Sequence, residues 1–160
     1  MTAVITVPQS AIVLAKRFEG FERKVRRGGE TAAVPYVCPA GFWTIGYGHL
    51  CDASHPPITG AEAEVYLARD LQSALAATLR CCPVLATEPE GRLAAIVDFT
   101  FNLGAGRLQT STLRRRVNQR DWVAVGQELR RWVYGGGKVL PGLVTRREAE
   151  MAFLYERGIN

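Results

Sequence analysis

Apolar positions recur at helical spacing along most of this chain and alternate strictly in one short stretch. Ala11, Leu14, Ala15 and Phe18 share one helical face. Ser10 is a natural N-cap after Pro8, and Gly20 suits the left-handed residue past a last turn, so a helix ending at Glu19 is expected. Trp43, Ile45 and Tyr47 alternate with Thr44, Gly46 and Gly48, the period of a half-buried strand. Pro39-Ala40-Gly41 is turn chemistry and Tyr36-Val37-Cys38 a partner strand, so one hairpin follows one helix. The polar, glycine-bearing run from Arg26 to Thr31 reads as a loop, and so does Cys51 to Ile58 with its Pro56-Pro57.

Thr59-Gly60-Ala61-Glu62 is a capping box opening one long helix, on which Ala63, Leu67, Leu71, Ala74 and Thr78 recur up to Pro83. The remainder reads as helices only. A second box at Thr87 and Glu90 opens a segment with Leu93, Ile96, Val97, Phe99, Phe101 and Leu103, apolar on most sides and therefore the expected central core helix, ended by Gly104. Shorter helices are expected near Thr112 to Asn118 and from Asp121 through Trp132. Gly135-Gly136-Gly137 reads as a flexible break, and Thr145 with Glu148 as the cap of a last helix closed by Gly158.

The 160 residues fit one domain, 48% hydrophobic and 22% charged, enough to bury roughly two-thirds of the unfolded surface. A net charge of +5 favours anionic partners: nucleic acid, a membrane surface or an acidic cell wall. Nucleic acid is the minor reading, because no helix-turn-helix, zinc-finger or RNP pattern is present. No signal peptide or spanning segment is visible in the sequence. Cys38, Cys51, Cys81 and Cys82 lack metal-site spacing and read as reduced thiols, with a Cys81–Cys82 bridge or a pairing of Cys51 with one of them as alternatives.

Phe18-Glu19-Gly20 places a carboxyl at a helix C-terminus, where the dipole opposes its negative charge, the condition a general acid needs. Phe18-Glu19-Gly20 followed by Cys38-Pro39-Ala40-Gly41, Trp43-Thr44-Ile45-Gly46-Tyr47-Gly48-His49, Phe101-Asn102-Leu103-Gly104-Ala105-Gly106, Ser111-Thr112-Leu113 with Asn118, Trp132, and Gly142-Leu143 leading to Arg146-Arg147-Glu148 resembles the phage-type lysozymes, glycoside hydrolase family 24. The resemblance covers nearly the whole chain in the family's order.

It implies an α+β lysozyme-like fold spanning 1–160 as one catalytic domain. A small lobe with a β-hairpin (about 10–65) would be joined by a long helix (about 60–80) to a mostly helical lobe (about 81–160). It also implies an endolysin, a muramidase that hydrolyses the β-1,4 bond between N-acetylmuramic acid and N-acetylglucosamine in peptidoglycan. No cofactor and no metal are implied. Glycosidic hydrolysis needs a proton for the leaving oxygen and a water for the anomeric carbon. By resemblance Glu19 is the donor, and Cys38 with Thr44 places the water.

His49 and Arg146 are supporting residues near the glutamate on the same grounds, and Tyr47, Asn102, Ser111, Thr112 and Asn118 substrate-binding candidates. Each has a plainer reading: a small buried thiol for Cys38, a backbone-satisfying hydroxyl for Thr44, a structural imidazole for His49, and helix capping for Ser111 and Thr112. Eighteen residues lie between Glu19 and Cys38, a longer spacing than the family's, whereas the five between Cys38 and Thr44 match it. A loop insertion of this size costs little closure entropy, and it offers Glu30 as a further carboxylate. The expected setting is a monomer that stays in the host cytoplasm, with no membrane anchor, until a holin permeabilises the membrane and admits it to the periplasm and wall. The alternatives are a bacterial wall-remodelling or toxin muramidase of phage origin, or a peptidoglycan-binding module weakened in catalysis.

Overall fold

The computed structural model describes residues 4–21 and 24–155. The chain forms two compact units, Ala15–Asp70 and Met1–Leu14 with Leu71–Asn160. Two helices cross the boundary between them in sequence: α1 (Gln9–Glu19) and the 22-residue α2 (Gly60–Cys81).

The α1 helix begins at Gln9 rather than behind Ser10, because the Pro8 carbonyl already accepts from Ala11 and Ile12 at 3.0 and 3.3 Å. Its end is as expected: Gly20 lies at φ 64 and its N–H returns to the Lys16 carbonyl at 3.0 Å, a left-handed stop that glycine adopts at little cost. The α2 helix opens on a reciprocal box. Glu62 N–H donates to Thr59 Oγ1 at 3.1 Å, and Thr59 N–H to Glu62 Oε1 at 3.3 Å.

The smaller unit holds two three-stranded antiparallel sheets where one hairpin was expected. In the first, β1 (Lys24–Arg27) pairs with β2 (Glu30–Ala33), and β2 with β6 (Ile58–Thr59). The polar run read as a loop is therefore a hairpin. Gly28 and Gly29, at φ 57 and 85, form a two-residue turn of the kind that needs positive φ at both central positions and matches strand twist. In the second sheet, β3 (Tyr36–Val37) pairs with β4 (Trp43–Ile45), and β4 with β5 (His49–Leu50). The expected strand stops at Ile45, since Gly46 and Gly48 take φ of 62 and 77 and make Gly46-Tyr47-Gly48 a turn. Ala33, Ile45, Ile58 and Ala63 form this unit's core, with Phe21, Tyr47, Cys51 and Tyr66 packed around it.

The larger unit is built on α3 (Glu90–Leu103), buried continuously from Leu93 to Thr100 as its all-round apolar pattern predicts, and packed chiefly against α7 (Pro141–Leu154). The box expected at Thr87 is absent. Thr87 closes a 3-10 turn (Pro83–Thr87) by donating back to Val84, and Pro89 caps α3 without a side-chain bond. A short α4 (Ala105–Gln109), unforeseen, precedes α5 (Thr112–Asn118) and α6 (Trp122–Leu129), the latter capped by Asp121 on Ala124 N–H. The triple glycine is a second tight hairpin, β7 (Tyr134–Gly135) and β8 (Lys138–Val139) around Gly136-Gly137. α7 starts at Pro141, not at a Thr145 cap, because proline at the first helical position lacks only a donor that would be unpaired there; Thr145 sits inside the helix and bonds back to Pro141. The stop expected at Gly158 lies outside the described residues.

Candidate active site

Glu19 is the last residue of α1 and half-buried. Its carboxyl lies against the backbone of the Gly46–Gly48 turn: a Cβ on Gly48 would stand 2.6 Å from Glu19 Oε2 and 2.9 Å from its Cδ. The glycine is thus required twice, for its φ of 77 and for its missing side chain. The candidate acid itself takes the space beside the Gly48 backbone.

The register of the second sheet joins the other two candidates. Tyr36 opposes Thr44, and Cys38 N–H donates to the Phe42 carbonyl at 2.8 Å, continuing that pairing. Residues directly opposed, or two apart on one strand, share a face. Cys38 and Thr44 therefore stand on one face. Thr44 is buried and its Oγ1 donates to the Tyr36 carbonyl at 3.2 Å, so its hydroxyl hydrogen is committed to the backbone while its lone pairs remain acceptors. The plainer reading of Thr44 is thus realised and still leaves it able to accept a bond from water.

His49 follows the turn. Its Nδ1 is 2.8 Å from Asp70 Oδ2, both side chains about 30% exposed, and its ring stacks on Tyr66 at 4.5 Å. Asp70, on α2, gave no local signal in the sequence; it is 21 residues away and meets His49 only through the fold. Tyr47 lies 5.7 Å from Phe21, centroid to centroid, with Lys16 over its ring.

The remaining candidates belong to the larger unit. Arg146 is buried and makes two 2.8 Å bonds to Asp98. Arg147, fully buried, donates to Glu150 Oε1 at 2.8 Å and to Asn102 Oδ1 at 2.6 Å. Burial pushes the Glu150 carboxyl well above the usual range, with Arg147 opposing and Asp98 adding to it. Sequence reasoning missed Asp98, Arg147 and Glu150 as a group, although an aspartate inside an otherwise apolar core helix was the available signal.

Ser111 caps α5, accepting from Arg114 N–H and donating to Leu108, and Thr112 Oγ1 accepts from Arg115. Asn118 Nδ2 donates to the Cys81 carbonyl at 3.0 Å, leaving its buried Oδ1 without a partner among the described residues. Ser111 and Asn118 line a cavity of about 510 Å³ with Arg114 and Arg115.

All four cysteines are free. Burial, with Cys81 adjacent, pushes the Cys82 thiol up to about 12, which makes it no nucleophile. Among the described residues no group of three or more His, Cys, Asp or Glu side chains is placed to hold a metal ion.

Known proteins agree with the motifs. An endolysin of Acyrthosiphon pisum secondary endosymbiont phage 1 is 34% identical over 155 residues, 94% of this chain and 97% of that protein. A SAR-endolysin of bacteriophage PS119 is 40% identical over 119 residues, 72% of this chain and 70% of its own length. Among solved structures, the endolysin from Escherichia coli O157:H7 phage FAHEc1 superposes with a TM-score of 0.75 at 26% identity, over 98% of this chain and 97% of that one. The muramidase domain of SpmX from Asticaccaulis excentricus gives 0.77 at 25%, over 96% and 100%. The family model described as phage lysozyme matches residues 16–150, and with an α+β lysozyme-like fold the chain belongs to the phage lysozyme family of glycoside hydrolases.

Proposed function

We propose that this chain is an endolysin that cuts the β-1,4 bond between N-acetylmuramic acid and N-acetylglucosamine in bacterial peptidoglycan by a single inverting displacement, its 160 residues acting as one catalytic domain. The observation that carries the reading is the seating of Glu19 on Gly48, in the same unit as the sheet face that bears Cys38 and Thr44. Glu19 gives its proton to the leaving oxygen as the glycosidic bond breaks. A water accepted by Thr44 and flanked by Cys38 adds to the anomeric carbon from the opposite side and releases a proton to solvent. Neither side chain is the carboxylate that would take the water's proton, so this pair places the water more than it deprotonates it. An oxocarbenium-like transition state is electrophilic enough for that to suffice.

His49, fixed by Asp70 and Tyr66, is assigned a supporting role for Glu19, and Arg146, held on Asp98, keeps the supporting role that the family motif implies. Tyr47, Asn102, Ser111, Thr112 and Asn118 are assigned to substrate. Arg147 occupies Asn102 Oδ1, which leaves the amide NH₂ of Asn102 as its donor.

Purified walls test the reading. The wild type should release soluble muropeptides with the α-anomer formed first, and Glu19→Gln should lower release by at least about a hundredfold with no loss of melting temperature. Survival of activity in Glu19→Gln together with its loss in Glu30→Gln would move the donor to the inserted hairpin.

Release in the host completes the reading. Among the described residues no helix is long and apolar enough to cross a membrane, and the proposed route is a monomer held in the cytoplasm until a holin-type partner opens the inner membrane. Lysis on expression without such a partner would refute that route.

A further inference from the structure

The pairing that gathers Cys38 and Thr44 gathers more than those two. Tyr36, Cys38, Phe42, Thr44 and Leu50 share one face of the second sheet, while Val37, Trp43, Ile45 and His49 share the other, which carries Ile45 into the unit's core. On the first face Phe42 is 60% exposed. It sits directly across from Cys38, at a cross-strand Cβ separation of about 5 Å, and one side-chain step, about 7 Å, from Thr44 along the strand. Single exposed apolar residues are ordinary on protein surfaces. This one differs by its register.

We propose that Phe42 is a sugar-binding platform, on which a pyranose ring of the glycan strand lies with its C–H face against the phenyl ring while its neighbour is held at Cys38 and Thr44. The inference rests on the reading of the site given above and deepens it. A pyranose has an apolar face and a rim of hydroxyls. The sheet offers the matching surface, the exposed Phe42 ring on one face with the Cys38 thiol, the Thr44 hydroxyl and the half-buried Tyr36, the mixture of mostly apolar wall and few polar groups that small-molecule sites use. A protein partner would call for a broader apolar area than Phe42, Leu50 and the half-buried Tyr36 supply. Phe42 binds substrate equally in the ground and transition states, since it touches no reacting atom. Its loss should therefore appear in KM and not in kcat.

The test uses the full chain on soluble, uncrosslinked glycan strands, with Phe42→Ala, Phe42→Tyr, and Val37→Ala, half-exposed on the opposite face of the same hairpin, as the control. Burying a phenylalanine side chain accounts for about a tenfold to hundredfold change in affinity, so Phe42→Ala should raise KM by at least about tenfold with kcat within about twofold. Phe42→Tyr should restore KM, Val37→Ala should leave both constants unchanged, and all three should melt with the wild type. Co-sedimentation of wild type and Phe42→Ala with purified walls gives a readout that needs no turnover, and Phe42→Ala should pellet less. An unchanged KM in Phe42→Ala, or an equal rise in Val37→Ala, overturns the platform and leaves the hydrolase reading intact. A wild type that pellets in a Phe42-dependent manner yet frees no reducing ends keeps the platform and removes the hydrolase reading.

Discussion

Both units of the molecule pair acids with bases, but among the described residues the larger one also buries such pairs. In the larger unit Arg146–Asp98 is 4% and 0% exposed and Arg147–Glu150 fully buried; in the smaller unit His49–Asp70 is about 30% exposed on each side. Charges removed from water must have partners, because an unpaired buried charge is far more costly than a surface pair is helpful. The helical unit has accordingly wrapped its buried acids and bases in one another, Arg146 on Asp98 and Arg147 on Glu150 and Asn102, while Arg130–Glu148 stays at the surface. The sheet-bearing unit leaves His49 and Asp70 partly within reach of water. Rigidity and access are divided between two parts of one chain.

Breaking equivalent pairs is the strongest way to probe that division. Asp98→Asn leaves Arg146 buried without its counter-charge and should cost about 3–5 kcal/mol of stability, whereas Asp70→Asn, at a pair still touched by water, should cost about 1.5 kcal/mol, the low end for a charge-assisted bond. Denaturant unfolding of the two variants measures both. Equal losses would show that the two pairs are alike in energy despite their burial. Next in size is Gly48→Ala. The added methyl would overlap the Glu19 carboxyl and sit at a φ that costs about 1–2 kcal/mol, so the acid must move. A displacement near 1 Å can cost about a hundredfold in rate, and wall hydrolysis should fall by about that factor while the fold persists.

The smallest effect concerns pH. Burial raises the Glu150 carboxyl, so the folded state keeps a proton that the unfolded chain has released. The stability this adds is complete below the ordinary glutamate value of about 4.3 and is lost as pH rises toward the raised one. Glu148 runs the other way. Its bond from Arg130 holds it low, so its contribution is present above that ordinary value and fades as pH falls. Replacing Glu150 by Gln should therefore flatten the decline of melting temperature as pH rises above the ordinary glutamate value of about 4.3, as read by calorimetry. Superimposable wild-type and variant profiles would remove Glu150 as its source.

What could be read from the sequence depended on how far each signal reached along the chain. The Thr59–Glu62 box, the Gly20 stop and the buried helix around Phe99 are local and stand as written. The box at Thr87 failed because Pro83 and Pro89 diverted that segment into a 3-10 turn. Both glycine runs read as slack chain in the sequence and are two-residue hairpin turns in the structure, since polar flanking strands such as Lys24–Arg27 show no alternation to announce them. For the candidate site, Glu19, Cys38 and Thr44 came from motifs. That Cys38 and Thr44 share a face required the pairing register, and the partners Asp70 and Asp98 lie 21 and 48 residues from the side chains they hold.

The larger unit is discontinuous, taking the chain up to Leu14 and again from Leu71. Ala11 and Leu14, at 0% and 2% exposure, are core residues translated ahead of Ala15–Asp70, yet the other helices of their own unit follow it in the chain. At synthesis rates of about 5–20 residues per second, Ala15–Asp70 can fold seconds before the larger core can close. The stretch that bears Glu19, Cys38 and Thr44 is therefore translated before the Asp98, Arg146, Arg147 and Glu150 cluster exists. A chain cut short in its last helix would carry every motif of the acid and the water and still lack the α7 partner against which α3 packs.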